Sequence, residues 1–348
     1  EVIEESLAEW RGSFERAWFR RTAGQDGKAT VISLDWWERS EVSADDRQFA
    51  RFVAKGTAPN QLFLHEAMDR NLQLLAPIFR WFRDQLIILE PGAPYLPLEL
   101  EWSNRQELRE YAAQLLDRAG TGIHALNAIE VPLSSIGVPD TIRDDLLREI
   151  RHDDEGMILR SPRGERINVF RRDGELVAAR IVTYRHNQEG RPVMFETRDE
   201  SDGTLRVLDL VPILYDLEHA GTRRTYVIDE LDRSLHSQLS EALLRHYLTS
   251  RSRETRTQLV FTTHDVRLLD QHLFRRDEMW LIDRGPFGES LLESVADYQG
   301  LRIDKDVRKA YLEGRFSGVP HLRPFPRRGT RPAASVTEIP AERTSSTT

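Results

Sequence analysis

The sequence predicts an α/β fold built around a parallel sheet. Three short runs of β-prone apolar residues, 225–228, 259–262 and 279–282, alternate with segments of helical period at about 237–249 and 265–272. Strands that are buried on both faces of a parallel sheet read as continuous apolar runs, whereas half-buried strands alternate with polar residues. The order of strands and helices therefore predicts a parallel sheet with helices on both faces.

The residues before this core predict β-rich and helical segments. Two β-rich runs within 13–37, joined by a glycine-containing turn at 23–27, predict a hairpin. Apolar residues recur at three- and four-residue steps over 62–90, and a second amphipathic helix covers 104–118. A helix with an apolar side follows Gly203. The short β segments predicted before that helix are 128–133, 166–171, 175–185 and 191–197.

Composition excludes several classes of protein. The 348 residues are 39% hydrophobic and contain no run of about 18 uncharged apolar residues that could span a membrane. They contain no cysteine, which excludes disulfide scaffolds and thiol nucleophiles and predicts a cytoplasmic protein. A net charge of −8 is not typical of a general nucleic-acid binder. Four arginines within 245–256 give nucleic acid only weak support.

Residues that can carry chemistry follow two of the predicted strands. The first strand ends in Asp229-Glu230, and the next is followed by Thr-Thr-His, which ends at His264. Because ligands bind at the carboxyl ends of parallel strands, we expect these side chains to meet there. Asp229 suits a Mg²⁺ ligand, Glu230 suits a base for an attacking water, and His264 suits a hydrogen-bond partner of that water or of a phosphate. Charged loop residues and a helix-capping turn are the alternative interpretation.

A third motif directly precedes the helix that follows Gly203. The Ser201 hydroxyl, the Gly203 amide and a helix N-terminus together can bind an anion. Helix capping by Ser201 or Asp202 explains the same residues without any ligand.

The order of these motifs resembles that of a known family. Ser-Asp-Gly-Thr before a helix, a strand ending in Asp-Glu, Ser-Leu-His at 234–236 and a strand followed by Thr-Thr-His resemble the second lobe of ABC-type ATPases, a P-loop NTPase-like fold. The chain looks most like the stand-alone bacterial AAA/ABC-like ATPases of abortive-infection and other anti-phage systems, relatives of the ATPase half of OLD-family proteins. The resemblance covers about residues 60–321 and includes the sequence from Arg308 to Pro320.

The resemblance implies roles for the strand-end residues and for the cofactors. Asp229 and Glu230 would be the Walker B pair, with Mg²⁺ on Asp229 and Glu230 as the catalytic base. His264 would be the switch histidine. The implied cofactors are ATP and Mg²⁺.

The resemblance also implies an assembly. Ser201 and Gly203 would be signature residues that contact the γ-phosphate of ATP bound to the opposite subunit. Ser234 would lie in the D-loop, where His236 replaces the Asp that is usual in ABC transporters. The implied partners are a second copy of the chain, in a homodimer or higher homo-oligomer, and an effector nuclease or toxin in phage defence.

The phosphate-binding loop of the family is missing from the printed residues. No Gly-x-x-x-x-Gly-Lys-Ser/Thr occurs, and the nearest sequence, 24–30, has too short a glycine spacing. We expect the chain to lack the first strand, P-loop and following helix of the family, so that alone it binds ATP poorly. The expected parts are then a β-rich remnant of the first ATPase lobe at 1–60, a helical lid at 61–127, a β-hairpin segment leading to the signature motif at 128–200, the ATPase lobe at 201–322 and a disordered tail at 323–348.

Two other functions fit the same residues. In a metal-dependent nuclease of OLD-related type, Asp229, Glu230 and Asp232 would bind two metal ions. In a catalytically dead interaction module, the lobe would only pair with an intact ATPase, and the missing P-loop favours this interpretation.

Overall fold

The chain forms two compact units, which divide between Asp265 and Val266. This division falls within 201–322, which the sequence analysis assigns to a single lobe. The predicted tail, 323–348, lies outside the described residues. The residues that the computed structural model describes are 2–22, 31–33, 42–91, 105–151, 156–160, 166–219, 223–298 and 306–319.

Both units combine helices and strands. The helices of the described residues are α1 (Ala44–Gly56), α2 (Phe63–Asp69), α3 (Ala76–Arg80), α4 (Gln106–Arg118), α5 (Asp140–Glu149), α6 (Asp202–Glu218), α7 (Ser237–Ser250) and α8 (Val307–Leu312). The strands are β1 (Glu4–Arg11), β2 (Phe14–Thr22), β3 (Val31–Ser33), β4 (Leu86–Leu89), β5 (Ala125–Val131), β6 (Gly156–Arg160), β7 (Arg166–Arg172), β8 (Glu175–His186), β9 (Pro192–Glu196), β10 (Thr225–Ile228), β11 (Gln258–Phe261), β12 (Trp280–Arg284) and β13 (Ser290–Ser294). Only β12, β13 and α8 belong to the second unit.

A parallel sheet in the order β11-β10-β4 forms the α/β core of the first unit. Tyr226 of the central strand pairs with Ile87 on one side and Leu259 on the other. Tyr226 and Ile228 are buried, and Ile228 packs among the apolar side chains of α6 and α7, including Leu214. The buried face of β10 is thus stabilised by packing against two helices.

The opposite face of this sheet is open in the described part of the chain. Ile88 and Val260, which flank Val227 in register, are 65% and 55% exposed. The prediction that helices cover both faces is therefore wrong for these residues. A continuous apolar run predicts burial on both sides of a sheet, whereas the described part of the chain buries one side of these strands.

Residues 86–89 form a strand and not the end of a helix. Helical turns form α2, Gln73–Leu75 and the stretch from α3 to Gln85, as the period of 62–90 predicts, but they are interrupted at Asn71, which has a φ of 61°. Leu86–Leu89 then pairs with β10. A run of four apolar residues fits a buried strand as well as a helix face, so the period alone cannot decide. The expected helical part, 61–127, therefore contributes an edge strand to the central sheet.

The strand predicted at 279–282 belongs to a different sheet. β12 pairs antiparallel with β13, and the helix predicted at 265–272 is only a turn at Val266–Leu268. Gly288 has a φ of 91°, which a tight reversal after β12 requires. This local hairpin satisfies the backbone of β12 without a crossover helix. The buried core of the second unit consists of Met279, Leu281, Val295, Val307, Ala310 and Phe316.

An antiparallel sheet in the order β5-β8-β7-β6, with β9 beside β8, precedes α6. The four β segments predicted there are confirmed, each with bounds shifted by three residues or fewer. Asp173 and Gly174 both have positive φ, of 51° and 83°, which is the backbone of a two-residue hairpin turn between β7 and β8. The sequence analysis missed β6 and α5.

The N-terminal strands form a third sheet in the order β1-β2-β3. β2 and β3 pair antiparallel, which confirms the strands of the hairpin predicted within 13–37, while its turn at 23–27 lies outside the described residues. The sequence analysis missed β1, which pairs with β2. Phe19 and Phe63 join β2 to α2, with ring centroids 4.9 Å apart in an edge-to-face contact.

Candidate functional site

The loop after β10 is hydrogen-bonded to the ends of both neighbouring strands. The Asp229 N–H donates to the Leu89 carbonyl of β4 (2.9 Å), and the Leu231 N–H donates to the Thr262 carbonyl after β11 (3.1 Å). The loop therefore crosses the carboxyl edge of the parallel sheet, where α/β proteins bind ligands.

Thr262 hydrogen-bonds to two of the acidic residues of this loop, Asp229 and Glu230. Its Oγ1 accepts the Glu230 N–H (2.8 Å), and its hydroxyl donates to the Asp229 carboxylate. Glu230 has a φ of 48°, a left-handed conformation that is disfavoured for residues with a side chain. The sequence analysis did not select Thr262, although it stands two residues before His264 on the adjacent strand end.

The structure brings Glu230 and His264 together at this edge. The His264 Nε2 lies 3.5 Å from the Glu230 Oε1. The two side chains are 85% exposed for His264 and 36% exposed for Glu230, so water and a ligand can reach both. A carboxylate and an imidazole at this distance can act on one water molecule.

The donor set at this edge suits Mg²⁺ held jointly with phosphate. Asp229 is exposed and supplies a carboxylate, and the Thr262 hydroxyl lies beside it. Magnesium favours one or two protein carboxylates with water and phosphate oxygens. The described residues contain no group of three or more His, Cys, Asp or Glu that could hold a metal ion by themselves.

Ser201, Gly203 and Ser234 line a separate cavity of about 470 Å³. Ser201 caps α6, with its Oγ accepting the Thr204 N–H (3.2 Å), so the capping interpretation of this residue is correct. A Cβ on Gly203 would lie 2.9 Å from the Ser234 carbonyl oxygen, so glycine allows the loop to touch the start of the helix. The cavity thus joins a hydroxyl, a helix N-terminus and the loop after β10, which is a suitable place for an anion.

The sequence-predicted residues therefore fall into two groups. Asp229, Glu230 and His264 lie at the sheet edge and are not among the residues that line the cavity. His236, in the predicted D-loop, lines the cavity and caps α7 through its Nδ1, which accepts the Gln238 N–H (3.2 Å). The turn after β11 is stabilised by a hydrogen bond within itself, in which the Thr263 Oγ1 accepts the Asp265 N–H.

An ion pair that sequence reasoning missed forms one wall of the cavity. Arg185 of β8 donates two hydrogen bonds to the Glu200 carboxylate, at 2.7 and 2.6 Å, and Thr183 donates a third. Glu200 is 1% exposed and directly precedes Ser201. No sequence signal marks this pair, because its members are 15 residues apart, with Arg185 near the end of β8 and Glu200 in the loop before α6.

A comparison with known families shows which family the chain belongs to. A family model described as "AAA domain, putative AbiEii toxin, Type IV TA system" matches residues 8–270, which include both groups of site residues. The chain belongs to this family. Its fold is accordingly that of a P-loop NTPase, and the family supports ATP binding by an AAA-type ATPase of the abortive-infection kind. No curated protein matches the sequence.

A search for membrane spans gives a negative result for the part of the chain that the structure describes. None of its helices combines the length and the apolar composition that a bilayer crossing requires.

Proposed function

We propose that this chain is the ATP-hydrolysing component of a bacterial anti-phage system of the abortive-infection type. The family match supports an ATPase, and the contact between Glu230 and His264 at the carboxyl edge of the sheet carries the proposal of hydrolysis. ATP turnover would gate a partner effector, a nuclease or a toxin.

Each residue of the edge has one task in this proposal. Asp229 would hold Mg²⁺ together with phosphate oxygens of ATP, and the ion would neutralise phosphate charge. Glu230 orients the attacking water and accepts its proton, and the backbone contact with Thr262 keeps that carboxylate in place. His264 donates a hydrogen bond to the γ-phosphate or to the water.

The separate cavity supports an assembly of at least two copies. Ser201, Gly203 and Ser234 lie in a polar recess apart from the acidic edge, so we assign them to the γ-phosphate of ATP held by another copy of the chain. The sequence contains no Gly-x-x-x-x-Gly-Lys-Ser/Thr run. The active unit is then a homodimer or a higher homo-oligomer with shared nucleotide sites.

The test is ATP turnover by the full-length gene product, with the wild type compared to Glu230→Gln. We expect kcat to fall by roughly 10²- to 10⁴-fold, because a general base of this kind contributes that much, while nucleotide binding is kept. The control is Glu189→Gln, which removes an exposed carboxylate from the loop between β8 and β9 and should match the wild type. Equal rates for Glu230→Gln and the wild type would remove Glu230 from the mechanism.

A catalytically inert interaction module is the second candidate, because the printed residues contain no P-loop sequence. Nucleotide binding separates the two candidates. An ATPase component binds an ATP analogue with Mg²⁺ and loses affinity when Asp229→Ala removes the metal ligand. An inert module either does not bind the ATP analogue or binds it equally well in the wild type and in Asp229→Ala.

A further inference from the structure

Arg206, an arginine inside α6, is almost completely buried. It is 4% exposed and lies one helical turn after Gly203, between apolar residues of the helix. Burying a guanidinium is costly unless hydrogen bonds and nearby charges compensate for the lost hydration. The position of this cation therefore calls for a physical reason.

The guanidinium is aimed at the backbone of Glu230. Its Nη2 donates to the Glu230 carbonyl at 3.0 Å, and the same carbonyl also accepts the Arg233 N–H at 3.0 Å. The Nε and Nη1 atoms of Arg206 are buried and have no hydrogen-bond partner among the described residues. The side chain thus donates one hydrogen bond to the loop after β10, while its Nε and Nη1 groups could donate further hydrogen bonds.

Carboxylates around Arg206 offset part of the cost of its burial. Burial lowers the pKa of Arg206, while the carboxylates of Asp209, Asp232 and Glu230 raise it. Arginine remains protonated under such conditions because its ordinary pKa is so high. The Asp232 Oδ1 is also buried and has no hydrogen-bond partner in the described part of the chain.

The helix α6 holds the loop at both of its ends. Arg206 contacts Glu230, and Gly203 lies against the carbonyl of Ser234. Glu230 and Ser234 both have left-handed backbones, with φ of 48° and 61°. Such conformations persist only where the surrounding structure holds them. One turn of α6 therefore fixes the segment that begins at the proposed base and ends at the cavity.

We propose that Arg206 is a positioning residue that couples the cavity at the start of α6 to Glu230 through the Glu230 carbonyl. A ligand that shifts the start of α6 would move Arg206 and, with it, the carboxylate beside His264. This inference rests on the proposed ATPase function for its catalytic meaning. The physical coupling between α6 and the loop can be measured without turnover.

The experiment compares Arg206→Gln and Arg206→Lys with the wild type, with Glu230→Gln and with the control Arg245→Gln. Arg245 is a half-exposed arginine on α7 that pairs with Glu241, so the control removes the same chemical group from a surface. We expect Arg206→Gln to lower kcat by roughly 10- to 100-fold with the KM for ATP changed by less than about twofold, because a misplaced catalytic group affects the chemical step. Arg206→Lys should recover part of kcat, and Arg245→Gln should match the wild type.

Amide hydrogen exchange over 229–235 and 237–250 supplies the readout that does not depend on turnover. Arg206→Lys and Arg206→Gln should exchange faster in the loop but not in α7. If Arg206→Gln does not fold, Arg206→Lys decides by the same two measurements. The proposal is overturned if Glu230→Gln is inactive while the Arg206 variants keep the wild-type kcat, or if loop exchange is unchanged. If the wild type shows no turnover, or if Glu230→Gln matches it, the proposed function fails and loop exchange alone judges Arg206.

Discussion

Breaking the Arg185–Glu200 pair should destabilise the first unit and shift the start of α6. The two parallel hydrogen bonds, at 2.7 and 2.6 Å, involve a carboxylate that is 1% exposed and a guanidinium side chain that is 26% exposed. Arg185→Met leaves the Glu200 charge buried, with the Thr183 hydroxyl as its one remaining side-chain donor among the described residues. Removing one partner of a buried pair costs about 3–5 kcal/mol, and the partial exposure of Arg185 places our expectation at about 3 kcal/mol.

Changing the other partner of the pair should reduce the free energy of unfolding by less. Glu200→Gln keeps an acceptor for Arg185 and buries no charge, so we expect about 1–2 kcal/mol. The double variant Arg185→Met/Glu200→Gln contains no buried charge at all. It should cost about 2 kcal/mol less than the sum of the single variants, because most of the penalty of Arg185→Met comes from the orphaned carboxylate.

Urea unfolding at pH 7, followed by circular dichroism and tryptophan fluorescence, measures these differences. The matched control is the exposed pair Arg191–Glu189 of the neighbouring loop, where the side chains are 78% and 66% exposed. Its variants should change the free energy of unfolding by less than about 1 kcal/mol. Costs at Arg185 and Glu200 that add to within about 0.5 kcal/mol would refute the argument from buried charge.

Two further predictions concern packing and pH. Gly203→Ala should destabilise the chain by about 1–3 kcal/mol and lower ATP turnover, because the new Cβ would lie 2.9 Å from the Ser234 carbonyl oxygen. The control is Gly56→Ala, whose Cβ would contact only the end of the Arg70 side chain. In thermal unfolding the control should be neutral or stabilising. Burial and the stacked His186, with ring centroids 3.5 Å apart, lower the pKa of His124. The unfolded chain then binds the proton first, so stability falls as the pH drops below about 6.5, and His124→Gln should flatten that fall in unfolding midpoints measured from pH 7.5 to about 5. A slope identical to that of the wild type would contradict the assignment to His124.

The residues at the carboxyl edge of the parallel sheet could be predicted from sequence, because each of them follows the end of a strand. Asp229, Glu230 and His264 each follow an apolar run, and parallel strands bring such positions to one edge. Arg206 and Arg185 were not accessible in this way. Their partners, Glu230 and Glu200, lie 24 and 15 residues away, and charged residues on a helix or strand are usually solvated.

The sequence by itself determined which segments form the strands 225–228 and 258–261, where the helix after Ser201 begins, and which chemical groups stand at their ends. These features depend on local patterns of apolar residues and on capping side chains, which are readable along the chain. Tertiary structure alone decided that Leu86–Leu89 joins the central sheet, that β12 pairs with β13, and that Glu230 takes a left-handed backbone. The physical reason is that a short apolar run is compatible with several partners, and only the hydrogen bonds and packing offered by distant segments select one of them.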